Sequence, residues 1–473
     1  MDGTVSISET TLCPCCAAFN QETNTTEITS SMLRILNRFC RRIEPQVPVS
    51  FVSKRRPLAT VAADAQVPQH QEDYPGGKGV SNTSLLEFFG GRTEPRPVPV
   101  PIPCFRSLDA AGEPLGDCKE EDVAVFSDDL ALRVYETMVK LQTVDVLFYE
   151  AQRQGRLSFY LTSFGEEATT VGSAAAFELD DSVFLQYREQ GVLLWRGISF
   201  RQMADQCYGN ALEPAKGRQM PIHYGSLDLN VHTIASTLGT QLPHAVGAAF
   251  AHKVQKSDAV SVVYFGDGAS SEGDFHAAMN FAATISVPIV FICRNNGFAI
   301  STPVEEQYRG DGVAGRGPGY GIATTRVDGG DARAVYCAAR AARKMAIEKS
   351  SPVLIEALTY RSGHHSTSDD SSRYRPEKEM EYWQSREPVV RLRQLLVHKQ
   401  IWDEEKEKSL RKKLRNQVIS ALDEAQKVPK APASDVLTDV YESLPWHLEE
   451  QREELMEFLR VHPNECPSDI PNK

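Results

Sequence analysis

The first 31 residues of this 473-residue chain contain no lysine or arginine. Nowhere does a run of about 18 apolar residues occur, which excludes a membrane-spanning helix. No period of about 20–50 residues recurs, which excludes a solenoid or propeller array. Basic residues are in the minority, 51 against 63 acidic, for a formal net charge of −12. That balance argues against nucleic-acid binding as the main function. The ten cysteines are irregularly spaced, unlike a secreted disulfide framework and in keeping with a reducing compartment. A chain that is 41% hydrophobic and 24% charged can bury a substantial core. Its length alone would suggest roughly three domains.

The charge is unevenly spread. Residues 32–60 carry Arg34, Arg38, Arg41, Arg42, Lys54, Arg55 and Arg56 against a single acid, Glu44. Leu33, Leu36 and Phe39 recur there at helical spacing, with the arginines mostly off that stripe. An Arg-rich, acid-poor amphipathic segment is what a mitochondrial import signal requires. Such a signal belongs at a true N-terminus, so we expect translation to start at Met32 and read 1–31 as an extension. Cys13, Cys15 and Cys16 lie in that extension, and a metal site there would need more ligands than the neighbourhood offers. Beyond residue 60 the balance becomes 44 basic to 58 acidic, so the mature chain is more acidic than the whole.

Residues 61–125 are rich in proline and glycine, with Pro95, Pro97, Pro99, Pro101 and Pro103 alternating with mostly apolar residues. Proline lacks the amide that a helix interior or central strand needs. This segment is therefore expected to be an extended arm packed on a surface, that of a partner subunit. A long helix is predicted at about 127–154, with Val134, Met138, Leu141, Val144 and Phe148 on one face. Runs of small residues at 171–176 and 246–249 read as tightly packed, buried helices. From 261 to 293 the pattern is strand, helix, strand, and a helix at about 331–348 precedes a further strand, Val353 to Ala357. This alternation predicts an α/β fold: an open, mostly parallel sheet with helices on both faces. The charged tail over 403–461 reads as helical, with a break around Pro429 to Pro432. We expect a central domain over 126–400, with the helical C-terminal tail at 401–473.

Two adjacent predicted strands each end in a polar cluster: Gly266-Asp267-Gly268, then Asn295-Asn296-Gly297. Ligands of open parallel sheets bind outside the carboxyl ends of the strands. Asp267 and Asn296 would face one another there, offering the hard oxygen donors that Mg²⁺ takes. Glycines allow close backbone approach, and the N-terminus of the following helix favours an anion. A Gly-Asp-Gly alone is usually a turn. Followed about 27 residues later by Asn-Asn across a strand–helix–strand unit, it forms the thiamine-diphosphate signature, in which Mg²⁺ clamps a diphosphate. There is no Walker A motif. The glycine-rich stretch Gly315 to Gly321 follows no strand and reads as a loop.

At these residues the stretch from about 127 to 395 closely resembles the α subunit of the branched-chain 2-oxoacid dehydrogenase family. The matching text includes Gln152-Arg-Gln-Gly-Arg, Gln186-Tyr-Arg-Glu, Gly217-Arg-Gln-Met-Pro-Ile-His-Tyr, Arg294-Asn-Asn-Gly and Arg361-Ser-Gly-His-His-Ser-Thr-Ser-Asp-Asp. The last run favours the branched-chain enzyme over its pyruvate relative. The resemblance implies oxidative decarboxylation of branched-chain 2-oxo acids and reductive acylation of a lipoyl group. It implies thiamine diphosphate and Mg²⁺ as cofactors, a β subunit in an α2β2 heterotetramer, and a lipoyl-bearing acyltransferase core. A regulatory kinase and phosphatase, and residence in the mitochondrial matrix, belong to the same picture.

Residue by residue, Asp267, Asn296 and the Phe298 carbonyl would hold Mg²⁺. Many relatives have Glu in place of Asp267 and Tyr in place of Phe298; both changes keep the donor atoms. Gln186, Tyr187, Arg188, Ser236, Leu238, Gly266, Gly268, Ala269, Arg294 and His365 would line the cofactor. Arg188 and Arg294 suit a diphosphate, because a guanidinium offers fixed, charge-assisted donors. His365 would assist acyl transfer, with His364 supporting it. Ser366 matches the family's inhibitory phosphorylation site, whereas Pro376 stands where animal relatives have a second regulatory serine. The family's structural potassium ion would use Thr240 and Gln241. Ala235 replaces a serine ligand and Thr237 a proline, which leaves potassium open.

The cofactor needs a carboxylate to activate its aminopyrimidine, and in the family that glutamate lies on the β chain. Glu166 and Glu167 are read as structural, so the chain alone is expected to be inactive. Two alternatives stand beside this reading. One is a pyruvate-type or broad 2-oxo acid decarboxylase subunit. The other is a noncatalytic paralogue, against which the intact set of Asp267, Asn296, Arg294 and His365 argues.

Overall fold

Apolar residues that alternate faces along adjacent strands build a sheet sandwiched between two helical layers. The computed structural model describes residues 82–83, 86, 101–116, 118, 123–467 and 469–471. All fall within the unit Ala65–Lys473. The expected extension at 1–31, the presequence at 32–60 and most of the arm at 61–125 lie outside the described residues.

In chain order the elements begin with β1 (Asn82–Thr83), β2 (Cys104–Phe105), α1 (Asp128–Arg153), α2 (Glu167–Ala174) and β3 (Ser182–Phe184). There follow α3 (Gln190–Arg196), α4 (Phe200–Tyr208), β4 (Val231–His232), α5 (Gln241–Gln255), β5 (Ser261–Gly266) and α6 (Gly273–Ile285). Next come β6 (Ile289–Asn295), a hairpin of β7 (Phe298–Ala299) and β8 (Thr302–Pro303), α7 (Val304–Gln307) and β9 (Ala323–Asp328). The chain continues through α8 (Ala332–Lys349), β10 (Val353–Leu358), α9 (Glu377–Gln384), α10 (Pro388–His398), α11 (Glu404–Ala425) and α12 (Trp446–Val461). Among the described residues eight strands form one sheet in the order β1-β2-β9-β10-β6-β5-β3-β4, and each neighbouring pair is parallel.

Side chains on a strand alternate faces, and here both faces are covered. Val262 and Tyr264 of β5, and Val290 and Ile292 of β6, join the core beneath α1, α2 and α8. Val263, Phe265, Ile289, Phe291 and Cys293 join a second core beneath α5 and α6. Burial on both faces explains why these strands read as continuous apolar runs. Each fully buried residue of this size contributes roughly 1.5–3 kcal/mol.

The predicted long helix is α1, and its five expected core positions are all fully buried. Ser127 caps it by accepting the Leu130 amide at 3.3 Å, and Asp128 and Asp129 sit in its first turn, where negative charge suits the helix dipole. The helix expected at 171–176 is α2, buried throughout Glu167–Ala174.

Four expectations change. The run at 246–249 lies in α5, where Val246 and Ala249 are buried but Gly247 is exposed. Small size there reflects an open outer face rather than close packing on all sides. The glycine-rich stretch forms a 3-10 helix, Ala314–Tyr320, leading into β9. The break in the tail spans 426–445, interrupted by a short 3-10 turn, Ala433–Leu437. The end of the arm also enters the sheet: β2, beginning right after Pro103, lies between β1 and β9. Asp331 holds the following segment by accepting the Ser107 and Leu108 amides at 2.7 Å each. These contacts connect residues more than 220 positions apart and leave no local mark in the sequence. In the tail, Leu414, Val418 and Leu422 of α11 join the main core rather than a separate one.

Candidate active site

Parallel strands send their carboxyl ends to one edge, so the loops after β3, β5, β6 and β10 meet there. These loops carry Gln186 to Arg188, Asp267 to Ala269, Asn296 to Phe298, and Arg361 to His365. Register brings Gly266 opposite Arg294 and Asn295 opposite Leu358. Gln186 Oε1 accepts the Gly266 amide at 2.8 Å, joining the β3 loop to the end of β5.

Asp267 is buried, and burial raises its carboxyl to about 6, opposed by hydrogen bonds that include the Asn296 main chain. Gln307 of α7 donates Nε2 to Asp267 Oδ2 at 2.8 Å, while its own Oε1 is buried without a partner. Asn296 accepts the Phe298 amide on Oδ1 at 3.2 Å. Gly297 allows this tight reversal with φ +83°, a conformation that glycine adopts without a Cβ penalty. The hairpin beyond it is fixed by Arg361, which donates to the Ile300 carbonyl at 2.8 Å. Gly268 packs so closely that a Cβ would lie 2.7 Å from Ala299 Cβ. The donors expected from the sequence, a carboxylate, an amide oxygen and a main-chain carbonyl, are hard oxygens of the kind Mg²⁺ takes, and the structure brings Asp267 against the Asn296 main chain. Among the described residues no group of three or more His, Cys, Asp or Glu side chains gathers as a metal site.

The arginines divide into two kinds. Arg294 is buried between two carboxylates: it pairs with Glu166 Oε2 and with Glu189 Oε1, the latter at 2.5 Å. Glu189 Oε2 also accepts the Gln186 and Tyr187 amides at 3.0 Å. Burial opposes the ionisation of Glu166, but Arg294, Arg188 and the Asn296 amide outweigh it and hold its carboxyl below the ordinary value. Arg188, Arg361 and Arg375 are equally buried, yet none forms an ion pair among the described residues. Arg188 donates to the Thr162 and His365 carbonyls, at 2.5 and 3.0 Å. Arg375 lies against the Phe298 and Tyr360 rings at 4.8 Å each, and Arg361 Nε and Arg375 Nε and Nη2 have no hydrogen-bond partner. Buried guanidinium groups with no direct ion pair leave donor capacity and positive charge, which suits an anion.

His365 stands beside Tyr187 in an edge-on arrangement, ring centres 6.3 Å apart. Burial, then the Arg188 and Arg361 charges, push its imidazole down to about 3. The loop is held by Asp369, which accepts the His365 amide at 2.7 Å and the Tyr374 hydroxyl at 2.5 Å. His364 points elsewhere, its Nδ1 accepting the Ser371 amide at 3.0 Å. Ser366 is half-buried, with its hydroxyl 3.1 Å from that of Ser368.

The remaining expected residues lie apart from this cluster in their contacts. Ser236 is exposed and bonded to His223 Nε2 at 2.7 Å, and Leu238 packs against the second core. Thr240 donates to the Thr237 carbonyl at 2.9 Å and Gln241 to the Tyr264 carbonyl at 3.1 Å. Both line an open groove of about 730 Å³ with Ala235, His232 and His244. Ala235 has no side-chain oxygen to offer a potassium ion.

The sequence reading took Glu166 as structural only and did not single out Glu189 or Gln307. Glu166 and Glu189 hold Arg294, and Gln307 holds Asp267. Glu189 ends the quoted Gln186-Tyr-Arg-Glu motif, so its place in the site was signalled though its role was not. Nothing in the sequence pointed to Gln307, 40 residues from Asp267.

Strand ends that gather oxygen donors beside buried arginines without ion pairs have the character of an enzyme's ligand site. The comparisons agree: residues 135–434 match the family model described as dehydrogenase E1 component, and the chain belongs to that family, which depends on thiamine diphosphate. Among its relatives is 2-oxoisovalerate dehydrogenase subunit alpha 1, mitochondrial, of Arabidopsis thaliana, 50% identical over 85% of this chain and 84% of that protein. The mitochondrial alpha subunit of Caenorhabditis elegans is 47% identical over 85% of this chain and 92% of its own length. That of Homo sapiens is 49% identical over 78% and 82%.

Proposed function

We propose that the chain is the α subunit of a mitochondrial branched-chain 2-oxo acid dehydrogenase, decarboxylating 2-oxo acids of the 2-oxoisovalerate type and acylating a lipoyl group. The observation that carries the reading is the set of buried arginines without carboxylate partners beside Asp267 and Asn296. A diphosphate with Mg²⁺ supplies the anion these residues call for. The relatives' names supply the substrate class.

Asp267, Asn296 Oδ1 and the Phe298 carbonyl would hold Mg²⁺, while Arg188 would bind phosphate oxygens and Arg294, already paired with Glu166 and Glu189, would support the site from behind. Gln186, Tyr187, Gly266, Gly268 and Ala269 would line the cofactor, whereas Ser236 and Leu238, which make no contact with this cluster, are assigned to it by the family resemblance alone. Thiamine diphosphate, when bound, supplies the electron sink for decarboxylation. His365, kept neutral by burial and by Arg188 and Arg361, offers its imidazole as a hydrogen-bond partner and proton carrier for acyl transfer. The carboxylate that activates the aminopyrimidine comes from a β subunit, so the working unit is α2β2, served by a lipoyl-bearing acyltransferase. Ser366 is the modification site: a phosphate of about −2 charge placed there competes with the cofactor for the same arginines. Kinase and phosphatase would act on that serine. Potassium would fall to Thr240 and Gln241, with a water or another hydroxyl replacing the missing side chain at Ala235.

The test is to co-express residues 61–473 with a β subunit, add thiamine diphosphate and Mg²⁺, and compare branched-chain 2-oxo acids with pyruvate. Preference for branched-chain acids is expected. Equal or better turnover of pyruvate would replace the substrate assignment, and no decarboxylation of either would return the noncatalytic reading.

A further inference from the structure

Glu166 is fully buried and reaches two groups of the site with its two oxygens. Oε2 pairs with Arg294, and Oε1 accepts Asn296 Nδ2 at 2.8 Å. The neighbouring Glu167 turns away, accepting the Gln142 side chain and the Gly165 amide. An ionised carboxylate has acceptors and no donor, whereas an amide has one end of each kind. Rotating the Asn296 amide by half a turn would set its oxygen against the Glu166 oxygen. Glu166 therefore fixes which end faces which way: nitrogen toward itself, oxygen away.

The freed oxygen, Oδ1, also accepts the Phe298 amide at 3.2 Å. It thereby also fixes the Gly297–Phe298 peptide, one residue short of the Phe298 carbonyl. One carboxylate thus orients the amide donor assigned to Mg²⁺ directly. Arg294 holds that carboxylate ionised and in place, and is itself held from its other side by Glu189.

We infer that Glu166 is a positioning residue for the metal, acting through the Asn296 amide. This rests on the reading that Asp267, Asn296 and Phe298 hold the ion. A carboxylate that merely balanced Arg294 would serve the fold and leave the amide indifferent. The two roles differ in what a change of hydrogen-bond polarity does. Glu166→Gln can present a donor to Asn296 and lets the amide turn. Combining it with Asn296→Asp reverses the bond: the new amide donates, and the new carboxylate accepts while offering an oxygen to the metal.

The measurement is Mn²⁺ binding to the α2β2 enzyme with thiamine diphosphate present, followed by the paramagnetic signal of free Mn²⁺. The thermal midpoint of the cofactor-free enzyme reports folding separately. Loss of an interaction that orients a ligand costs about 10–100-fold in metal affinity. Glu166→Gln is expected to weaken Mn²⁺ by that factor, and Glu166→Gln with Asn296→Asp to recover most of it. Glu167→Gln alters the neighbouring buried carboxylate, which bonds Gln142 and Gly165 and touches neither Asn296 nor Arg294, and is expected to stay within about threefold of wild type, well short of a lost ligand interaction. Wild-type affinity in Glu166→Gln would overturn the inference, as would equal weakening by Glu167→Gln. Failure of the double variant to recover affinity would do the same. If Glu166→Gln does not assemble, Glu166→Asp carries the test: its shorter reach keeps the charge and draws back from Asn296, so unchanged affinity refutes the role. Asp267→Ala separates the levels, because unaltered Mn²⁺ binding there would overturn the metal site itself and the inference with it.

Discussion

Replacing Glu167 with glutamine should make the protein less stable in acid and more stable in base than wild type. Glu167 has no solvent exposure, and its Oε1 and Oε2 accept from Gln142 at 3.3 Å and from Gly165 at 2.8 Å. Burial, reinforced by the Glu387 and Asp145 charges, raises its carboxyl from 4.5 to about 8. The folded protein therefore keeps a proton that the unfolded chain has lost between about pH 4.5 and 8. Stability from this group is fully present below pH 4.5, declines by about 1.4 kcal/mol per pH unit, and levels off above 8. Across the window the loss is about 5 kcal/mol. Glutamine does not titrate, so the variant escapes that decline. Its nitrogen cannot accept, however, and one of the two donors is left without a partner, at about 1–3 kcal/mol. The two stability curves should cross between about pH 5 and 7. Urea unfolding of wild type and Glu167→Gln at pH 5, 7 and 9 reads this directly. Parallel curves, with no change in their separation, would refute the reasoning.

Glu356 is fully buried on β10 and accepts from Arg326, Asn295 and the Val313 and Ala314 amides, so Glu356→Gln breaks a buried ion pair and should cost about 3–5 kcal/mol in urea unfolding. A cost below about 1 kcal/mol would mean that the pair is not held as described. His365 stays neutral near pH 7, so the pH profile of lipoyl acylation should show no limb near 6.5 from this residue; His365→Asn should slow that step by about 10²–10⁴-fold. The same depressed value implies that the His365 contribution to folding stability falls as pH drops from 6.5 toward 3. Ser366→Glu should reduce decarboxylation by placing negative charge beside Arg188 and Arg361, and activity equal to wild type would argue against the phosphorylation assignment.

How far such features were visible beforehand depends on the distance over which they are encoded. The strand–helix–strand unit around β5, α6 and β6 was legible, because burial on both faces leaves continuous apolar runs. Asp267 and Asn296 were legible from their spacing at two adjacent strand ends. β2 was not: it is two residues long and follows a proline-rich segment, and Asp331, far along the chain, holds the segment that follows it. The adjacent pair Glu166–Glu167 gave no hint that one carboxylate enters the site and the other leaves it. The start of α2 decides that, by turning consecutive side chains to different sides. Arg188 and Arg294 were recognised only through family resemblance, and resemblance did not reveal that Arg294 is in direct ion pairs while Arg188 is bonded to carbonyls.

The central claim is that the ends of β5 and β6 hold a metal through which a diphosphate is bound. Isothermal titration of thiamine diphosphate into the cofactor-free α2β2 enzyme, with Mg²⁺ and after chelation, tests it for wild type and Asp267→Ala. Saturable binding that requires Mg²⁺ and is lost in the variant is the predicted result. Binding that is equally tight without the metal, or unchanged by Asp267→Ala, would contradict the account.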